Sequence, residues 1–114
     1  MSDCIFCHIV ARTIPATLVY EDDLVIAFDD INPQAPTHTL VIPRKHVTSI
    51  AELEDLDVGL LGRLMLAGNK ISKLKGIADS GYRFVINTGA NGGQTVSHLH
   101  LHVLGGRHMA WPPG

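Results

Sequence analysis

Cysteine is scarce in this chain: there are two, Cys4 and Cys7, three positions apart. A disulfide across so short a loop would be an unusual way to hold a domain together, so a disulfide framework is not expected. Reduced thiols in a cytoplasmic chain are the expectation instead. A basic surplus is also missing. Nine Lys and Arg stand against eleven Asp and Glu, for a formal charge of −2. That balance argues against a protein that tracks a nucleic-acid backbone. It does not argue against one small phosphate ligand, which a few backbone amides can hold. No apolar run approaches the roughly 20 residues that a bilayer span needs, so no membrane partner is expected. The start, MSDCIFCHIVART, carries an early acid and lacks a basic opening and a small-residue cleavage site. It does not read as a signal peptide. Repeats, linkers and low-complexity stretches are missing too, so residues 1–114 are expected to form one domain.

What is present is an ordinary globular composition, 46% hydrophobic and 18% charged. Residues 4–11 (CIFCHIVA) read as a short apolar helix stopped before Pro15. Residues 17–20 and 24–29 are rich in Val, Ile, Tyr and Phe around an acidic turn, and read as a hairpin. Residues 30–36 form a proline-bearing loop, and 38–43 a third strand. Ser49 to Glu52 fits a capping box at a helical turn. Asp55 or Asp57 then caps a long helix whose apolar positions are Leu56, Leu60, Leu64, Ala67, Ile71 and Leu74. Lys70, Lys73 and Lys75 suit its C-terminal end, and Gly76 can close it. Gly59, Gly62 and Gly68 imply close packing on that helix. Leu61 and Met65 widen the stripe, toward either the sheet or a second subunit. Residues 82–87 and 98–104 supply two more strands. The expected fold is α+β: a five-stranded, mainly antiparallel sheet with one short N-terminal helix and one long helix.

The chemistry concentrates in SHLHLHVLGG. Strand side chains alternate with a period of two, so His98, His100 and His102 are expected on one face, and Leu99, Leu101 and Val103 on the other. Three alternating imidazoles suit a metal, or a nucleophile with helpers. The preceding loop, TGANGGQTVS, favours the second. Gly89, Gly92 and Gly93 let backbone amides approach a ligand. Asn87, Gln94, Thr95 and Ser97 add donors, so the partner is an anion.

DINPQAPTH (30–38), INTGANGGQTVSHLHLHVLGG (86–106) and the terminal WPPG (111–114) resemble the histidine triad, or HIT, family over nearly the whole chain. The DI-x-PQAPTH run and the WPPG tail resemble its Hint branch. That branch consists of homodimeric purine nucleoside phosphoramidases that also hydrolyse aminoacyl-adenylates. The resemblance implies a homodimer with a continuous ten-stranded sheet, and an AMP or GMP derivative as substrate. It assigns His100 as the nucleophile that carries a covalent nucleoside monophosphate, and His102 as the helper of the leaving group. His38 would stand near the triad. Asn87, Gly93, Gln94 and Thr95 would hold phosphate oxygens. Asp30, with Ile31 beside it, would hold the ribose hydroxyls, although Asp29 is adjacent. Ile5, Phe6, Ile9 and Phe28 would wall the base pocket, or simply form core. The tail, residues 107–114, would dock on the partner subunit with Trp111 beside the leaving group. No metal is needed for this chemistry. A dinucleoside polyphosphate hydrolase, a nucleotide-sensing scaffold and a metal-binding module are the competing readings.

Cys4-Ile-Phe-Cys7 has the spacing of a zinc knuckle. Some HIT proteins resemble this arrangement and complete it with a histidine after the third strand and the first triad histidine. By that resemblance Cys4, Cys7, His46 and His98 would bind a structural Zn²⁺. His8 is a rival ligand, poorly placed beside Cys7.

Overall fold

A computed structural model describes residues 3–114. The elements are α1 (Ile5–Val10), β1 (Leu18–Glu21), β2 (Val25–Asp29), β3 (Thr37–Pro43), α2 (Val58–Leu74), β4 (Tyr82–Val85) and β5 (Leu101–Gly105). Two 3₁₀ turns, Ile50–Glu52 and Asp55–Asp57, lead into α2. The five strands form one sheet in the order β1-β2-β3-β5-β4, and every neighbouring pair is antiparallel. This is the expected α+β architecture.

The sheet has an apolar cluster on each face, which explains why β2 and β3 read as nearly unbroken apolar runs. On one face Val25, Ala27, Val41, Leu101 and Val103 pack against Leu64, Ala67 and Ile71 of α2. On the other, Ile26, Phe28, Leu40 and Ile42 pack against Phe6 and Ile9 of α1. Register places Phe28 opposite Leu40, and Leu40 opposite His102. A row therefore crosses three strands on the α1 face, with an imidazole at its end. The same alternation sends Asp29 to the α2 face. There it accepts from Thr39 Oγ1 at 2.9 Å and pairs with Lys75 Nζ at 3.0 Å.

Several expectations need correction. β5 begins at Leu101, so His98 and His100 lie in the irregular segment before it, with His98 in a bend. The ladder stops there because β3 ends at Pro43, which has no N–H to give. The carbonyl of Pro43 instead accepts from the His98 ring at 2.9 Å, and the amide of Leu99 goes to the Val47 carbonyl at 2.6 Å. β4 ends at Val85, two residues before Asn87. Leu56 precedes α2 and is exposed, as is Leu74, so the buried stripe is shorter than the apolar spacing suggested. Of the three helix glycines, only Gly68 is crowded. A Cβ there would lie 2.6 Å from Phe84 Cζ, whereas at Gly59 and Gly62 it would meet open space.

Candidate active site and metal centre

A cavity of about 510 Å³ opens on the α1 face of the sheet. α1 supplies Ile5, Phe6 and Ile9, and β2 supplies Phe28. Asp30 and Ile31 follow β2, and β3 contributes His38. The 87–96 loop brings Asn87, Gly93 and Thr95, and the last segment brings His100 and His102. Twelve residues, up to nearly 100 positions apart, are thus gathered, all of them expected from the sequence. Two expected residues are not among its lining. Trp111 is 81% exposed in the tail. Gln94 turns away from the cavity: its Oε1 accepts from the Gly89 amide, and its Nε2 donates to the carbonyls of Thr48 and Val96. It braces the glycine loop by its side chain.

Ile14, Pro15, Ala16, Leu40 and Val96 also line the cavity, as do Asn32 and Gln34. Sequence reasoning missed them. The apolar ones look like any core or loop residue, and only the strand pairing that sets Leu40 opposite His102 marks it out.

Backbone partners dictate the proton position on each buried imidazole. Nδ1 of His100 lies 2.8 Å from the carbonyl of His98, so it must donate there. That leaves Nε2 of His100 as a bare lone pair. Nδ1 of His38 accepts the amide of Gln34 at 3.0 Å, so the His38 proton sits on Nε2. That proton points to Nδ1 of His102 at 2.9 Å. The His102 proton must then lie on Nε2, which is buried and has no hydrogen-bond partner among the described residues. The site therefore presents one imidazole lone pair and, beside it, one imidazole N–H. The two rings are 4.9 Å apart between centroids.

Electrostatics disfavour the charged forms of His38 and His102. Burial, followed by the neighbouring His100 and His38, lowers His102 to a pKa of about 4. Burial also lowers His38, against the opposing pull of Asp30, whose Oδ2 is 3.5 Å from Nε2. Asp30, His38 and His102 bring metal-ligand atoms together, but their two imidazoles are already hydrogen-bonded to one another. The other oxygen of Asp30 accepts the Asn32 amide at 2.9 Å in a turn. Asp29 also borders the cavity, but Thr39 and Lys75 engage its carboxylate, which leaves Asp30 as the carboxylate offered there.

The loop is a tight turn that uses several of its own amides, contrary to the expectation that they would be free for a ligand: Gly93 donates to the Ala90 carbonyl at 3.0 Å and Gln94 to the Gly89 carbonyl at 3.1 Å. Gly89 and Gly93 adopt φ of +72° and +79°, which side chains rarely tolerate. A Cβ on Gly92 would run into the Thr88 backbone.

Beside the cavity, Cys4, Cys7, His46 and His98 bring their ligand atoms within 4.8 Å of one another. Cys4 Sγ is 3.3 Å from Nδ1 of His98, and Cys7 Sγ is 3.3 Å from Nδ1 of His46. Cys7 Sγ lies 3.7 Å from Nδ1 of His98. Sulfur and nitrogen on a tetrahedral zinc would be about 3.6 Å apart. The donor set also fits. His98 gives its Nε2–H to Pro43, so its lone pair on Nδ1 faces the thiols. Cys4 caps α1 by accepting the Cys7 amide at 3.4 Å. Without a cation, burial and the adjacent Cys4 push the Cys7 thiol up. These residues fit a closed site of two thiolates and two imidazoles, the pattern of structural metals. His8 is not in this group: it bonds Thr13 Oγ1 at 3.0 Å.

The glycine loop and histidine pair match a known domain family, described as the HIT domain, over residues 11–109. This chain belongs to the HIT family. An uncharacterized HIT-like protein of Synechocystis is 53% identical over 112 residues, spanning 98% of this chain and 97% of the relative. A 14 kDa zinc-binding protein of Zea mays is 50% identical over 115 residues, 99% of this chain and 89% of the relative. Among solved structures, a HIT family hydrolase from Legionella pneumophila superimposes with a TM-score of 0.96 at 49% identity, covering 98% of this chain and 100% of that one. A histidine triad protein from Clostridium difficile gives 0.93 at 45% identity, covering 96% of each chain. The expected family and fold are thus confirmed.

Proposed function

We propose that this HIT-family chain is a hydrolase of purine nucleoside 5′-monophosphate derivatives, cleaving P–N and acyl-phosphate bonds through a nucleotidyl-His100 intermediate. The observation that carries this reading is the bare Nε2 of His100, made so by the bond from its Nδ1–H to the His98 carbonyl. An imidazole held this way turns its Nε2 lone pair to the substrate as a nucleophile. The aromatic and aliphatic wall suits a purine ring, Asp30 suits ribose hydroxyls, and the loop residues Asn87, Gly93 and Thr95 suit phosphate oxygens. Gln94 supports that loop without facing the ligand, since its amide donates to the Gly89 carbonyl and its side-chain oxygen accepts from the Gly89 amide.

In the first step a bond forms from His100 Nε2 to phosphorus, and the P–N or P–O bond breaks. Its electron pair stays on the leaving atom. A carboxylate departs as such, and an amine takes up a proton from solvent. The Nε2–H of His102 donates a hydrogen bond to the leaving atom and stabilises the charge that develops there. Water then attacks phosphorus, releases a proton, and returns the electron pair to His100. With an amine leaving group the proton taken up in the first step is matched by the one water releases in the second; with a carboxylate leaving group one proton is released to solvent overall.

The cysteine–histidine group is assigned a structural Zn²⁺, which ties α1, the wall of the base pocket, to the segment that carries His100. The reduced state of Cys4 and Cys7 that this requires suits a cytoplasmic location. Among the described residues no helix is long and apolar enough to cross a membrane. A homodimer follows from the apolar face that α2 leaves exposed at Val58, Met65 and Leu66, beside the edge strand β4. In such a dimer the exposed Trp111 reaches the partner's site.

The test is amine release from an adenosine phosphoramidate, with His100→Ala beside the wild type. Turnover by the wild type and none by the variant is expected. Equal rates in both, or none in either, contradicts the proposal.

A further inference from the structure

We infer that Arg107 is a positioning residue that, through Gln34 and His38, keeps the His102 proton on the nitrogen facing the leaving group. This inference rests on the proposed hydrolysis and deepens it.

Arg107 lies just past β5, the strand that carries His102, and is itself exposed. Its Nε and Nη2 both donate to the carbonyl of Gln34, at 3.2 and 2.9 Å. Its Nη1 donates to the His108 carbonyl at 3.1 Å, which holds the guanidinium in that orientation. A planar fork with several donors can grip one carbonyl in a way a lysine cannot. The contact is braced from a second side. Gly106 adopts φ +90°, and a Cβ there would come within 2.8 Å of Pro36. The chain after β5 is thus pressed onto the 34–36 loop at two points.

The consequence passes through residue 34. Its amide donates to Nδ1 of His38. While that bond holds, His38 must carry its proton on Nε2 and give it to Nδ1 of His102. His102 in turn must carry its proton on Nε2, the buried nitrogen with no partner among the described residues. If the 34–36 loop swings away, His38 is free to adopt the other tautomer. His102 would then carry its proton on Nδ1 and present a lone pair to the substrate. A lone pair repels a negatively charged leaving atom where an N–H stabilises it. Arg107 touches no reacting atom, and it acts only through this chain of three hydrogen bonds.

A hydrogen bond to the leaving atom matters most when that atom leaves badly. The experiment compares wild type, Arg107→Ala and Arg107→Lys on two substrates with the same nucleotide: an alkylamine phosphoramidate and an aminoacyl-adenylate. The expected result is a fall in kcat of about tenfold or more on the phosphoramidate for Arg107→Ala. KM should change little, and kcat on the acyl-phosphate should fall less than threefold or so. Arg107→Lys should lie between, because it keeps the charge and loses the fork. Nitrogen-15 shifts of His102 should show Nε2 protonated in the wild type and a mixture of tautomers in Arg107→Ala. Equal losses on both substrates, or unchanged kcat with an unchanged tautomer, would overturn the inference. If Arg107→Ala is too unstable to assay, the lysine variant decides by the same ratio of substrates. A wild type inactive on both substrates would defeat the proposed hydrolysis itself. An active wild type with indifferent variants would defeat only the role of Arg107.

Discussion

Single residues in this site have their chemistry assigned by backbone groups whose donor or acceptor character is not in question. A carbonyl leaves Nε2 of His100 as a free lone pair, and an amide fixes the proton of His38, and through it that of His102, on Nε2. The same burial has a measurable cost in acid. An unfolded histidine titrates near 6.5, whereas folded His102 is lowered to about 4, mainly by burial. Below pH of about 6.5 the unfolded chain therefore binds more protons than the folded one. Stability that is fully present above that pH is lost as pH falls toward 4. With about 1.4 kcal/mol for each pH unit, the His102 share is at most about 3 kcal/mol. Urea denaturation of wild type and His102→Gln across this window should show a shallower loss in the variant. Identical slopes would contradict the assignment. Residue identities at this scale were largely legible in the sequence, because alternation in SHLHLHVLGG and the motif DINPQAPTH each single out particular side chains. Proton positions were not, since they depend on the Gln34 amide and the His98 carbonyl, whose directions no sequence pattern encodes. The choice between Asp29 and Asp30 also needed the sheet, which turns Asp29 toward Lys75.

Elements were read well where the period was clear and less well at their ends. β2, β3 and α2 stand close to where apolar periodicity put them. The error at β5 has a local cause: Pro43 ends the partner strand, so pairing cannot begin at His98. Leu56 fails as a helix position because a 3₁₀ turn precedes α2 and rotates it into solvent. Gly68 illustrates what composition alone cannot say. Three glycines sit in the helix, yet only this one admits Phe84 against its backbone. Gly68→Ala should lower stability by about 1–3 kcal/mol through overpacking, read by thermal melting. A rise, as expected from helix propensity alone, would contradict the close contact. The proposed metal centre belongs to this scale too, because Cys4, Cys7, His46 and His98 come from the start of the chain, the stretch after β3 and the segment before β5. Cys7→Ser, or wild type treated with a strong chelator, should melt well below the untreated protein. A metal held at a thousandfold excess over its Kd contributes about 4 kcal/mol. Metal-free protein that melts at the same temperature would remove zinc from the structure's stability.

At the scale of the whole molecule, the chain is a sheet with one face closed by α2 and the other partly open as the cavity. Strands β1 and β4 are its edges. β4 and the exposed residues Val58, Met65 and Leu66 form the surface that a second copy would cover. Sedimentation should give twice the 12.3 kDa chain mass. Leu66→Glu should shift it toward the monomer, while a wild type that stays monomeric at micromolar concentration would contradict the dimer. A continuous sheet between two subunits was suggested by family resemblance, not by any pattern internal to the sequence.

The most direct measurement is capture of the reaction intermediate. Wild-type protein mixed with excess aminoacyl-adenylate and quenched within the first turnover should carry one nucleoside monophosphate. Fragment mass spectrometry should place it on the imidazole of His100, and His100→Ala should carry none. Full hydrolysis with His100 unmodified at every quench time, or an adduct on a different residue, would contradict the mechanism derived from this site.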